Sequence, residues 1–254
     1  MAELTSYDGV ALTVLAARIG APRMVAFESL GSTMDKAHDL ARSGAEHGTV
    51  VLAGTQTAGR GRGRREWRSD GGGVWLTLVA RDVDSRNIGV LPLRIGIAAA
   101  GALEALTGEA IGLKWPNDLV LGDGKLGGVL VEARWRGQQL DWAAVGVGIN
   151  LAAPAGFGAA GLGESVRHGE VVERLVPAIL AACSRSGVLT AAELSAFAAR
   201  DIARGREIAE PLAGVVAGID ESGALLVESA GTVHHIRSGS LVFAAEPQSL
   251  SANR

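Results

Sequence analysis

The sequence is short of cysteine, aromatic residues, net positive charge and long apolar runs, and each shortage removes a class of protein. Its single cysteine, Cys183, cannot form an internal disulfide, which excludes a small secreted scaffold held by disulfides. Cys183 falls in an alanine-rich helical pattern and reads as a buried structural thiol rather than a nucleophile. No uninterrupted apolar stretch approaches the roughly 20 residues that span a bilayer. The N-terminus lacks the basic region, apolar core and cleavage site of a signal peptide, so a cytoplasmic protein without a membrane partner is expected. The net charge of −3 argues against a chain that mainly coats nucleic acid. The five histidines, His38, His47, His168, His234 and His235, show no ligand pair at helical spacing with an acidic partner; they are expected on the surface, and no metal ligand is identified.

What the chain does have is material for a core. With 254 residues, 48% hydrophobic and 20% charged, it can build one large domain, or a large and a small one. Residues 8–19 carry apolar positions at helical spacing and stop at Gly20. Ser32 followed by Asp35 marks a helix start, with the serine capping, and Gly44 marks its end. Residues 48–54 read as a buried strand and 74–79 as the next, while 88–106 is a helix with Pro92 in its first turn. Strands follow at 113–115, 118–121, 126–135 and 140–148, with Asp123-Gly124 as the hairpin turn. Residues 169–204 predict two helices, with Pro177 kinking or restarting the first. From about 206 the pattern becomes short strands at 212–219, 223–228, 232–236 and 240–243. The expected architecture is an α/β (α+β) mixed sheet covered by helices (1–204), then a small β-barrel module (205–245), then a disordered tail (246–254).

Between the strands at 48–54 and 74–79 lies GRGRGRREW (59–67), which crowds cations onto a glycine-rich backbone. Arg60, Arg62, Arg64 and Arg65 offer planar donor forks to phosphate or carboxylate, and the glycines let the backbone approach a ligand. Taken alone, these residues fit a solvated linker or a nucleic-acid tail equally well. Common nucleotide signatures fail elsewhere. Gly122 to Gly127 fits GxGxxG literally, but a strand rather than a helix follows it. Lys125 lacks the spaced glycine and the following Ser or Thr of a P-loop, and no serine sits in a GxSxG elbow.

The polar residues at the strand ends fall into an ordered series: GSTM (31–34), QTAGRGRGRREW (56–67), KWPNDLVLGDGKLGGVLVE (114–132) and GVGIN (146–150). This series closely resembles the biotin protein ligases over most of the chain. The resemblance implies an enzyme that joins biotin and ATP as biotinyl-5'-adenylate and transfers the acyl group to a lysine of a biotin carboxyl carrier domain, with magnesium expected. It implies a monofunctional ligase without a DNA-binding head. Two anions brought about 4 Å apart repel by roughly 1 kcal/mol in water and about 4 in a partly desolvated site, so fixed cations are required. By resemblance Arg60, Gly61 and Arg62 line the ligand loop with Arg65 and Trp67, and Lys125 stabilises charge on the α-phosphate. Ser32, Thr33 and Gln56 hydrogen-bond the neutral ureido head of biotin. Lys114, Asn117 and Asn150 serve the nucleotide, with Asn150 reading adenine. Asp118 either orients the incoming lysine or holds the backbone, and Trp67 either closes over the adenylate or simply packs.

Two positions depart from the family pattern. Met34 stands where a polar residue such as Asn usually follows Ser-Thr, and Gly63-Arg64 reverses a common order. Two rival functions remain: a lipoate-type ligase, and an arginine-glycine RNA-binding module whose binding would weaken steeply with salt.

Overall fold

Asp8 and Gly9 both take positive φ and turn the chain between two short strands, β1 (Ser6–Tyr7) and β2 (Val10–Ala11), in a computed structural model that describes residues 2–70, 72–81, 83–154 and 158–244. That Asp-Gly hairpin displaces the expected start of helix α1 to Leu12 (Leu12–Ile19), and Gly20, with φ 69°, ends it. β3 (Met24–Leu30), α2 (Thr33–Arg42) and β4 (Val50–Gln56) form a β-α-β unit in which Met24 pairs with Val50 in parallel. The run MVAFESL alternates too weakly to announce β3, which was not expected. Ser32 caps α2 as expected, its Oγ accepting from Met34 N at 3.3 Å, and Asp35 stands in the first turn.

β5 (Gly73–Ala80) lies antiparallel to β4, and α3 (Leu91–Thr107) carries Pro92 in its first turn. β6 (Gly112–Lys114), β7 (Asp118–Leu121), β8 (Gly124–Arg136) and β9 (Gln139–Asn150) complete a seven-stranded mixed sheet of order β3-β4-β5-β9-β8-β7-β6. The β7–β8 turn is Gly122-Asp123, one residue earlier than expected. Leu121 pairs with Gly124, and Gly122 takes φ 56° at the first central position, where a glycine is favoured.

Successive residues face opposite sides, so the sheet has two cores. Leu52, Leu76, Val145 and Val129 face α1, α3 and the later α4 (His168–Cys183). Val51, Val79, Ala144 and Trp142 face α2 through Met34, Ala37 and Ala41. α4 runs unbroken through Pro177, where a kink or restart was expected. Val172, Leu175, Val176 and Ile179 around it are fully buried. At about 1.5–3 kcal/mol each, their burial outweighs the roughly 3 kcal/mol that an interior proline costs. Cys183, buried at the end of α4, has its thiol pushed up to about 12 by desolvation and is structural.

After α5 (Ala191–Ala198) come β10 (Glu207–Glu210), β11 (Gly214–Ile219), β12 (Leu225–Ser229), β13 (Thr232–Ile236) and β14 (Val242–Phe243). They form an antiparallel sheet of order β13-β12-β11-β10-β14, and β10 was not expected. Among the described residues no ladder joins β13 to β14, so the strands expected as a barrel appear as an open sheet. The expected tail, 246–254, lies outside the described residues.

Candidate functional site

On the α2 side of the sheet, glycines replace side chains where β8 and β9 run past the N-terminus of α2. Gly128, Gly146 and Gly148 leave a cavity of about 190 Å³ above the strands. Trp67 from the arginine loop lies on this floor: a Cβ on Gly148 would sit 2.9 Å from its indole. The ring meets Trp75 edge-on with centroids 6.2 Å apart, and Lys125 Nζ stands 5.1 Å from its centre. The indole Nε1 is buried without a hydrogen-bond partner among the described residues.

One wall is polar and neutral. Thr77 Oγ1 donates to Thr33 Oγ1 at 2.8 Å, and Thr33 donates through both N and Oγ1 to Gln56 Oε1 at 2.8 and 3.1 Å. Gln56 Nε2 donates to Ser69 Oγ at 2.8 Å. The backbone donor from Thr33 fixes which end of the Gln56 amide is oxygen. Met34, buried beside Gly146, supplies packing where the family pattern has a polar group.

The opposite wall is cationic. The loop folds back on itself: Gly61 N donates to Arg65 O at 2.7 Å and Trp67 N to Gly59 O at 2.9 Å. Gly59 has no room for a side chain, since a Cβ would lie 2.3 Å from Trp67 O. Arg60 Nη2 is 2.8 Å from Asp35 Oδ1 and Nη1 is 3.5 Å from Glu132 Oε1. The Asp35 contact has ion-pair distance but not hydrogen-bond geometry, so Arg60 Nε and Nη2 are buried donors with no acceptor among the described residues. An anionic oxygen pair would satisfy both. Arg62 donates to Gly239 O and Arg65 to Ser240 Oγ at 3.0 Å, which ties the loop to the segment before β14. The side chain of Arg64 lies outside the described residues.

Lys125, just past the β7–β8 turn, donates to Asp118 Oδ1 at 2.7 Å across the hairpin. The ammonium keeps two further donors. Lys114 Nζ stands 5.2 Å from the centre of the Phe243 ring. Burial holds its pKa below the usual lysine range; Lys125, Arg206 and Arg65 push the same way and Asp118 opposes them. Asn117 also lines the cavity, its Nδ2 donating to Val129 O at 2.8 Å. Among the described residues no group of three or more His, Cys, Asp or Glu could cage a metal; the carboxylates in the cavity wall are Asp118 and Glu66.

Residues 26–150 match the family model described as the biotin/lipoate A/B protein ligase family. The biotin--[acetyl-CoA-carboxylase] ligase of Paracoccus denitrificans is 32% identical over 209 residues, 70% of this chain and 82% of that protein. The chain belongs to the biotin/lipoate A/B protein ligase family. It is 37% identical over 124 residues to the bifunctional ligase/repressor BirA of Bacillus spizizenii, 48% of this chain but only 38% of that relative's length. The fold is shared with a solved structure, a biotin protein ligase from Aquifex aeolicus in complex with biotin and ATP. The TM-score is 0.74 and the identity 24%, over 88% of this chain and 100% of that one.

The family's motif residues converge on the cavity with one exception. Ser32, Thr33 and Gln56, then Arg60, Gly61, Arg62, Arg65 and Trp67, then Lys114, Asn117, Asp118 and Lys125 all line it. Asn150 does not. It is buried and spends its side chain on Lys125 O, 3.2 Å away, where it braces the hairpin that carries the lysine. Sequence reasoning missed Thr77, Ser69 and the segment 239–241. Thr77 did leave a signal, as the only polar residue in the eight-residue buried strand β5. His38, expected on the surface, is buried, and its position on α2 directs it at Trp142 and Glu132.

Proposed function

We propose that the chain is an ATP-dependent biotin protein ligase that forms biotinyl-5'-adenylate and passes the acyl group to a lysine of a biotin carboxyl carrier domain. The observation that carries this reading is the pairing of walls. A neutral hydrogen-bonding wall (Thr33, Gln56, Thr77) suits an uncharged ureido ring, and it faces a cationic wall whose Arg60 has Nε without a hydrogen-bond partner among the described residues and Nη2 held only by the exposed Asp35. The biotin carboxylate, held by Arg60, attacks the α-phosphorus of ATP and pyrophosphate leaves. Lys125 meets the charge that grows on the α-phosphate, using the donors not given to Asp118. The carrier lysine then attacks the acyl carbon, its proton is lost and AMP leaves; Asp118 is the carboxylate placed to orient that amine. Magnesium would enter on the nucleotide phosphates, which suits a site with few carboxylates, and would neutralise phosphate charge there. Lys114 and Asn117 serve the nucleotide, and Asn150 supports Lys125.

The same reading makes residues 1–204 the catalytic unit and 205–245 a module that supplies Gly239, Ser240 and Leu241 to its rim. It places the protein with ATP and its carrier in the cytoplasm. The test is to incubate the protein with ATP, magnesium and a carrier domain, offer biotin or lipoate, and weigh the carrier. A biotin-sized mass gain is expected. Gain only with lipoate would favour the lipoate-type activity, and no gain together with salt-sensitive RNA binding would favour the arginine-glycine reading.

A further inference from the structure

The histidine that sequence reasoning left on the surface sits in a four-residue chain ending at Arg60. His38 lies one turn after Met34 on α2, its side chain only 4% exposed. Its Nδ1 is 3.0 Å from Trp142 Nε1, and its Nε2 is 3.0 Å from Glu132 Oε2. An indole N–H can only donate, so Nδ1 must accept; Nε2 therefore carries the proton and donates to the carboxylate. The partners thus fix both tautomer and ring orientation. Glu132, held by its Oε2, presents Oε1 to Arg60 Nη1 at 3.5 Å. On β8 Gly128, Leu130 and Glu132 share one face, so the carboxylate belongs to the same row as the cavity floor, two pairs beyond it. The Nη1 side of Arg60 is engaged from this row; Nη2 lies 2.8 Å from Asp35 Oδ1 outside hydrogen-bond geometry, on an exposed carboxylate that a ligand can replace, and Nε has no hydrogen-bond partner among the described residues.

We propose that His38 is a positioning residue: through Glu132 it fixes the guanidinium of Arg60 in the orientation that receives the biotin carboxylate. This rests on the ligase reading above. A carboxylate without the histidine would keep its charge and the looser Arg134 contact, 3.6 Å from Oε2, but lose its hydrogen bond there, and Arg60 would rest on the exposed Asp35 alone as its fixed partner. The role is selective, because the chain reaches the acyl end of the site and not Lys114, Asn117 or Lys125.

The experiment measures KM for biotin and for ATP, by pyrophosphate release, in the wild type and in His38→Leu, His38→Gln and Glu132→Gln. Leucine can neither accept from Trp142 nor donate to Glu132, whereas glutamine can do both. His38→Leu and Glu132→Gln are expected to raise the KM for biotin about tenfold with the KM for ATP within about twofold, and His38→Gln to return it to within about threefold of wild type. A purely structural role would move both constants together and track thermal stability. An unchanged KM for biotin in Glu132→Gln, a parallel rise for ATP, or a glutamine variant no better than leucine would overturn the proposal. Should His38→Leu fail to fold, Glu132→Gln and His38→Gln decide alone. A wild-type chain that makes no adenylate would sink the ligase reading and this inference with it; an active wild type with insensitive variants sinks only the inference.

Discussion

Replacing Lys125 by alanine separates catalysis from stability, because the structure assigns the two effects different sizes. The Lys125–Asp118 pair is short, 2.7 Å, but the side chains are 41% and 24% exposed, so water and salt screen it. Pairs of that kind contribute about 0–1 kcal/mol. The ammonium over Trp67 adds about 0.5–1 kcal/mol at such exposure. Asp118, left alone, can be rehydrated. The folding free energy should therefore fall by about 1 kcal/mol and by no more than about 2. The adenylation rate should fall far more, by about 10²–10³, the usual cost of removing one donor aimed at developing charge. Biotin should still bind, since the neutral wall and Arg60 do not depend on the lysine. Pyrophosphate release, a urea titration and biotin calorimetry on the same preparation measure all three. A rate within about tenfold of wild type, or a stability loss above about 3 kcal/mol, would falsify the assignment by making Lys125 chiefly a structural residue.

Three further outcomes are expected. Thr77→Val removes a buried donor to Thr33 Oγ1, so it should cost about 1 kcal/mol in a urea titration and raise the KM for biotin but not for ATP; an unaltered KM would mean that the threonine pair does not shape the biotin wall. Arg62→Gly cuts the tie to Gly239 O, so bystander lysines should become labelled as adenylate escapes, and mass spectrometry that finds only the carrier modified would refute this. Burial holds the His38 pKa below its ordinary value of 6.5, despite the opposing Glu132, so the unfolded chain takes a proton there that the folded chain refuses. Its contribution to stability is complete above about 6.5 and declines as pH falls below that value; the difference between wild-type and His38→Gln stability should thus vary with pH only on the acid side, and a constant difference would count against the neutral tautomer.

Much of the site was legible because four motifs stand in one ordered series that resembles the biotin protein ligases, each at the end of an expected strand or at a turn. Lys125 and Asp118 sit seven residues apart, and the hairpin brings them to 2.7 Å, a contact that the expected turn at Asp123-Gly124 did not announce. What was not legible depended on register. Met24 to Leu30 hides as a strand because Val25 and Phe27 face one core and Met24 and Ala26 the other, which erases the alternation. The contact made by Asn150 was not legible either: a side chain at the end of β9 meets whatever backbone lies beside it, and here that is the Lys125 carbonyl. Pro177 misled because local propensity was weighed without the buried face of α4.

The two faces of β8 explain why site and stability can be separated in this molecule. From Gly128 onward, the odd residues Val129 and Val131 pack towards the larger core with α3, while the even ones are graded along the strand. Gly128 makes room beside the Trp67 ring, Leu130 lines the cavity, Glu132 engages Arg60, and Arg134, opposite Trp142, closes the row. A register slip of one residue would put Glu132 among the leucines of the larger core and a valine where Arg60 needs a carboxylate. The apolar odd positions therefore hold the even row in place, and the chemistry relies on a register that it does not itself stabilise. Substitutions at Val129 and Val131 should act through folding, and those at Gly128, Leu130 and Glu132 through the two substrate constants.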